Sequence, residues 1–157
     1  MLPIAQALVV EMGAEPVAIA EGDRVLYHAA LAHSSNHLVT LVAQASQLLG
    51  EVGVDAPERM LGPLLRATLE NALASGESAL TGPVARGDAG TVAAHAEALR
   101  EHDGGSGGDI LEAYLAMARA TARRAGHRGL LKAEKLDGVT RALDGRARET
   151  GHDGPHS

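Results

Sequence analysis

Between residues 25 and 50 the sequence has no Asp, Glu, Lys or Arg, yet it sets His33, Asn36, Thr40, Gln44 and Gln47 three or four positions apart. On a helix, that spacing gathers five uncharged hydrogen-bonding side chains on one side. Leu31, Leu38 and Val42 form an apolar stripe opposite them. Such a polar face has two uses. It can line a cleft, with Asn36 bonding a substrate and a histidine giving or taking a proton near neutral pH. It can equally be a dimer interface, or a set of polar groups satisfied within a core. His33 and His37 are four apart, close enough to share a metal on a helix. However, the zincin pattern needs Glu beside the first His, and here Ser34 follows with no carboxylate in the whole stretch. No metal is therefore expected.

The helix that must carry these residues spans roughly positions 27–49. Its many hydroxyl, amide and imidazole groups make it too polar to lie in lipid, so it is read as a central helix buried on most sides. Around it the spacing predicts more helices. One starts at an Asp55 cap and presents Leu61, Leu65, Thr68 and Ala72 as far as Gly76; another is capped by Asp88 and carries Val92, Ala96 and Leu99. Asp109 with Glu112 forms a capping-box pattern opening a helix to about Ala125, and a last helix runs from about 130 to 148. Residues 1–12 read as a short helix and residues 15–20 as a brief strand. Residues 102–108 read as a flexible loop, and the tail from 149 to 157 as disordered.

Composition narrows the classes further. The chain has 157 residues, a formal charge of −6, no Cys, no Phe and no Trp. One domain built from small aliphatic side chains is expected, without disulfides or a thiol nucleophile. The basic residues are scattered, so no nucleic-acid partner is expected. The N-terminus lacks a basic region and reaches Glu11 early, which predicts no signal peptide, no membrane partner and a cytoplasmic protein.

Four strings, Tyr27-His28-Ala29-Ala30, Ser35-Asn36-His37-Leu38-Val39, Leu69-Glu70-Asn71-Ala72 and Leu80-Thr81-Gly82-Pro83-Val84-Ala85-Arg86-Gly87-Asp88, together carry a resemblance over about residues 14 to 125. They resemble the helical domain of unknown function that follows a Rossmann-like NAD(P)-binding domain in relatives of 6-phosphogluconate dehydrogenase, ketopantoate reductase and pyrroline-carboxylate reductase. The resemblance implies an all-α bundle of the 6-phosphogluconate dehydrogenase C-terminal-like type. It further implies that residues 1–20 are a helix-strand remnant of the Rossmann-like domain and residues 21–148 the helical domain. It implies a homodimer and a small-molecule substrate closed against NAD or NADP, with neither nucleotide held by this chain, which lacks a Gly-x-Gly-x-x-Gly turn between a strand and a helix.

By the same resemblance His28, His33 and Asn36 are candidate catalytic residues, and Thr40, Asn71, Thr81 and Arg86 candidate substrate-binding residues. Each has a plainer reading. His28 merely begins a helix, Asn71 is a buried amide bonded to a neighbour, and Arg86 pairs with the capping Asp88. Ala32 stands where hydroxyacid dehydrogenases of this group place a Lys, so standard hydroxyacid chemistry is not implied. The alternative function is a stand-alone helical domain that binds a ligand or a protein without redox activity.

Overall fold

A computed structural model of the chain describes residues 2–13, 15–103 and 108–145. It is all-α: α1 (Leu2–Glu11), α2 (Arg24–Glu51), α3 (Pro57–Ser75), α4 (Gly82–Arg86), α5 (Ala89–Asp103), α6 (Asp109–His127) and α7 (Ala133–Leu143), with 3-10 turns at Glu21–Asp23 and Gly76–Ala79. No strand occurs among the described residues. The strand expected at 15–20 is replaced by unpaired chain in which Val17 is exposed. Apolar alternation sets a local extended preference, but a strand exists only where a neighbour supplies the ladder. Residues 104–107 of the expected flexible loop, and the whole expected tail at 149–157, lie outside the described residues.

The chain divides into two compact units, Met1–Pro57 and Glu58–Ser157. In the first, α2 is 28 residues long and starts directly after a 3-10 turn whose Glu21 pairs with Arg24 at 2.9 Å. It stops where Gly53 turns left-handed at φ 85° and Val54 N–H donates to the Leu49 carbonyl at 2.9 Å. The expectation of a helix buried on most sides is not met. Gln44 is the one buried residue of α2, while Leu31 is 50% and Leu38 41% exposed. The missing charges show that the helix suits cover, and the rest of the first unit does not provide it along residues 25–41.

The second unit has a core. Val84, Val92, Ala118, Ala122, Val139 and Leu143 from α4, α5, α6 and α7 form one buried cluster, with Tyr114, Leu115 and Leu136 packed against it. Ala85, Ala125 and Leu131 form a second. α5, α6 and α7 each contact the other two, and α4 packs on α5 and α6. Small residues on the facing sides allow this close approach: a Cβ at Gly126 would lie 3.0 Å from Leu136 Cδ2.

Helix starts are set by different devices. Asp88 caps α5 as expected, accepting from Thr91 N–H at 3.1 Å and from the Thr91 hydroxyl at 2.7 Å. α6 begins at Asp109 itself with Gly108 at its N-cap, so the expected cap residue is the first residue of the helix, and Asp109 and Glu112 lie in the first turn, where the helix dipole favours acids. Pro57 opens α3, which suits a residue with no N–H to satisfy, and Ala56 before it is left-handed at φ 52°. The segment at 79–87, although it contains Gly82, Pro83 and Gly87, holds α4. Gly87 closes α4 at φ 73°, where its N–H reaches the Val84 carbonyl at 3.1 Å and Asp88 N–H the Pro83 carbonyl at 2.9 Å.

Candidate functional site

At about 100° per residue, Asn36, Gln47, Thr40, His33, Gln44 and His37 fall within an arc of about 100° on α2. Their positions follow from one unbroken helix, and all but Gln44 are exposed. The two imidazoles meet: His37 Nδ1 lies 2.8 Å from His33 Nδ1, the rings are 4.8 Å apart by centroid, and they stand at 88° to one another. One nitrogen of that contact must carry the proton and the other a lone pair. The pair thus fixes a tautomer relationship and leaves each Nε2 for other work.

The neighbouring hydroxyls are turned to the backbone. Ser34 and Ser35 both donate to the Leu31 carbonyl, at 3.1 and 2.8 Å, and Thr40 donates to the Asn36 carbonyl at 3.4 Å. Back-bonding of this kind spends the hydroxyl proton within the helix. The Ser35 hydroxyl also lies 3.4 Å from Asn36 Oδ1, the longer of its two contacts. Gln47 donates to Glu51 at 3.2 Å, so the acid that ends α2 ties down the far end of the arc.

His28 is exposed and stands outside the arc, about 12 Å along the axis from Asn36. It is therefore not brought to the His33 and Asn36 group within α2. In the second unit Asn71 and Thr81 are also exposed, which corrects the plainer reading of Asn71 as a buried amide. Thr81 precedes α4 with φ −145° and makes no side-chain cap bond. Arg86 is exposed and belongs to no ion pair among the described residues; its carbonyl accepts from Lys135 Nζ at 3.4 Å. The expected pairing of Arg86 with Asp88 is absent, although its charge still acts on that acid. The Asp88 carboxyl is held below the usual aspartate range first by the Thr91 hydroxyl and then by the Thr91 amide, with Arg86 and His95 adding smaller effects against a burial effect that raises it.

Two groupings were not visible in the sequence. His95 is exposed on α5, and its Nδ1 lies 3.2 Å from the Tyr114 hydroxyl of α6, whose own pKa is raised by burial. Arg124 pairs with Glu77, and Arg128 bonds Ser78 at 3.0 Å, so α6 clasps the turn that follows α3. Only the separation along the chain hid them, since each residue type was plain. Among the described residues no group of three or more His, Cys, Asp or Glu side chains is placed to hold a metal, and no helix is long and apolar enough to cross a membrane.

No curated protein and no solved structure matches the chain. A family model does match, over residues 1–121, and by that match the chain belongs to the family described as Domain of unknown function (DUF2520).

Proposed function

We propose that this chain is the helical dimerisation and substrate-closing domain of a cytoplasmic NAD(P)-dependent oxidoreductase-like protein, akin to the C-terminal domains of the 6-phosphogluconate dehydrogenase superfamily. The observation that carries the reading is α2: an exposed, uncharged polar arc backed by an apolar stripe that its own unit leaves half uncovered. A second copy covering the stripe would remove the cost of exposing it. On the arc, Asn36 orients a small substrate and His33 exchanges a proton through Nε2, its Nδ1 being held by His37. Thr40 contributes less, since its hydroxyl is already bonded to the backbone. Arg86 serves at most as an anchor for a carboxylate or phosphate.

The described residues do not fit a dinucleotide. They include no strand leading through a glycine turn into a helix, which is the cradle a pyrophosphate needs. In this reading NAD or NADP belongs to a Rossmann-like domain, and this chain alone is inactive.

Sedimentation equilibrium at micromolar concentration should give a dimer. In the protein that carries the Rossmann-like domain, Asn36→Ala should cost about 2 to 4 kcal/mol of transition-state stabilisation, read from kcat/KM, while the dimer and its helix content persist. If the same change disperses the dimer and leaves turnover per folded molecule intact, the arc is an interface and the domain is a binding module without redox chemistry.

A further inference from the structure

The contact between His33 and His37 suits more than a hydrogen bond. The two rings stand one turn apart on the same helix, both are exposed, and neither has another hydrogen-bond partner among the described residues. Their Nδ1 atoms are 2.8 Å apart. A metal ion bonded to both at the usual length of about 2.0 to 2.1 Å would subtend an N–metal–N angle of about 85°. That is close to the right angle between neighbouring ligands in square-planar, tetragonal or octahedral coordination. A tetrahedral ion would need the nitrogens about 3.3 Å apart.

We propose that His33 and His37 form a bidentate, exchangeable site for a divalent transition-metal ion of square-planar or tetragonal preference, Cu2+ ahead of Ni2+ and Ni2+ ahead of Zn2+. The ordering has two sources. Cu2+ binds nitrogen donors most strongly among these ions, and the close approach of the two nitrogens favours Cu2+ and Ni2+ over tetrahedral Zn2+. Binding displaces the proton shared between the rings. Both become Nε2–H tautomers with Nδ1 lone pairs on the metal, and one proton leaves to solvent if the pair was singly charged, none if it was neutral.

The surroundings permit this. No Lys or Arg lies between residues 25 and 50 to repel a cation, and no carboxylate there adds a charged ligand. The sequence argued against a metal because the zincin pattern is absent. An open two-nitrogen site does not need that pattern, and only the distance between the rings shows it.

The test is titration of the full chain with Cu2+, Ni2+ and Zn2+ chloride, each alone, in a non-coordinating buffer, followed by calorimetry, and for Cu2+ by electron paramagnetic resonance. One Cu2+ per chain with two-nitrogen coupling is expected. His33→Gln and His37→Gln should each weaken it about tenfold or more while helix content holds, because either change turns a chelate into a single ligand. A His152→Gln, His156→Gln double variant should bind as the parent does. The proposal is overturned if either single variant keeps the parent affinity, if the double variant loses the site, or if Zn2+ binds as tightly as Cu2+.

Discussion

α2 and the α4 to α7 bundle draw on the same small set of apolar side chains and treat them differently. In the bundle, leucine and valine are sealed: Val92 and Val139 are 0% exposed and Leu143 is 2% exposed. On α2 the same residue types lie open, and the buried side chain is a glutamine. Charge is distributed the opposite way. The bundle carries ion pairs on its rim, Arg119 with Asp144 at 3.0 Å and Arg141 with Asp137 at 2.7 Å, whereas α2 has none between residues 25 and 50. A helix that meets water on all sides normally has charges on its surface. Uncharged yet exposed, α2 has the surface of an element made to be covered, and the bundle has the surface of an element already complete.

Paired truncations give the sharpest way to break this contrast. Leu143→Ala should destabilise the chain by about 3 kcal/mol, since it empties a site the four helices have closed. Leu38→Ala should cost under about 1 kcal/mol at high dilution, because 41% of Leu38 is already in water, and more as concentration rises if a second copy covers it. Urea unfolding across a hundredfold range of protein concentration reads both. Equal costs at every concentration would mean that the stripe on α2 is covered within a single chain.

Gly87→Ala should rank next, at about 2 kcal/mol. Its φ of 73° is a conformation that L side chains resist, and an added Cβ would lie 2.8 Å from Lys135 Cβ and 3.0 Å from Leu131 Cδ2. Thermal unfolding tests it directly. The same change at Gly53, also left-handed at φ 85° but with open space around its Cβ, should cost only the conformational part. If the two variants melt together, the close packing of α4 on the segment after α6 is looser than the geometry shows.

How legible these regions were in the sequence differs for the same physical reason. The bundle's core residues Val92, Val139 and Leu143 and the half-buried Leu136 sit at helical spacing, because an amphipathic helix writes its own inner face into its sequence, whereas Leu131, buried just before α7, lies outside any helix. α2 was legible as a helix and its polar arc as a face, but not its exposure, since the lack of charge says only that cover suits it. The strand at 15–20 failed for a related reason: pairing is a property of two segments, and one segment's alternation cannot supply the second. α4 went unread because Gly82 and Pro83 signal a turn, and here the Pro sits in the first turn of a helix, where its missing N–H costs nothing. The His33 and His37 spacing was visible, but the 2.8 Å approach that gives it chemistry was not.

The smallest expected effect concerns the start of α5, and it tests whether the bundle's caps matter as much as its core. Asp88 is fully exposed, so its role rests on bonds to Thr91 rather than on a sheltered charge. Those bonds favour the carboxylate over the acid and lower the folded pKa, first through the Thr91 hydroxyl. A group whose pKa is depressed on folding contributes stability that is fully present above its unfolded value, about 4 for an aspartate, and is lost as the pH falls through the lower folded value. Stability measured between pH 6 and pH 2 should therefore fall on the acid side partly through Asp88. Asp88→Asn keeps an oxygen that can accept from the Thr91 amide and removes the titration. The difference in stability between parent and variant should be constant above about pH 5 and should shrink below about pH 4. A difference that stays flat down to pH 2 would show that the Thr91 bonds do not discriminate between carboxylate and acid, and that α5 is held in place by the buried Val92 and Ala96 alone.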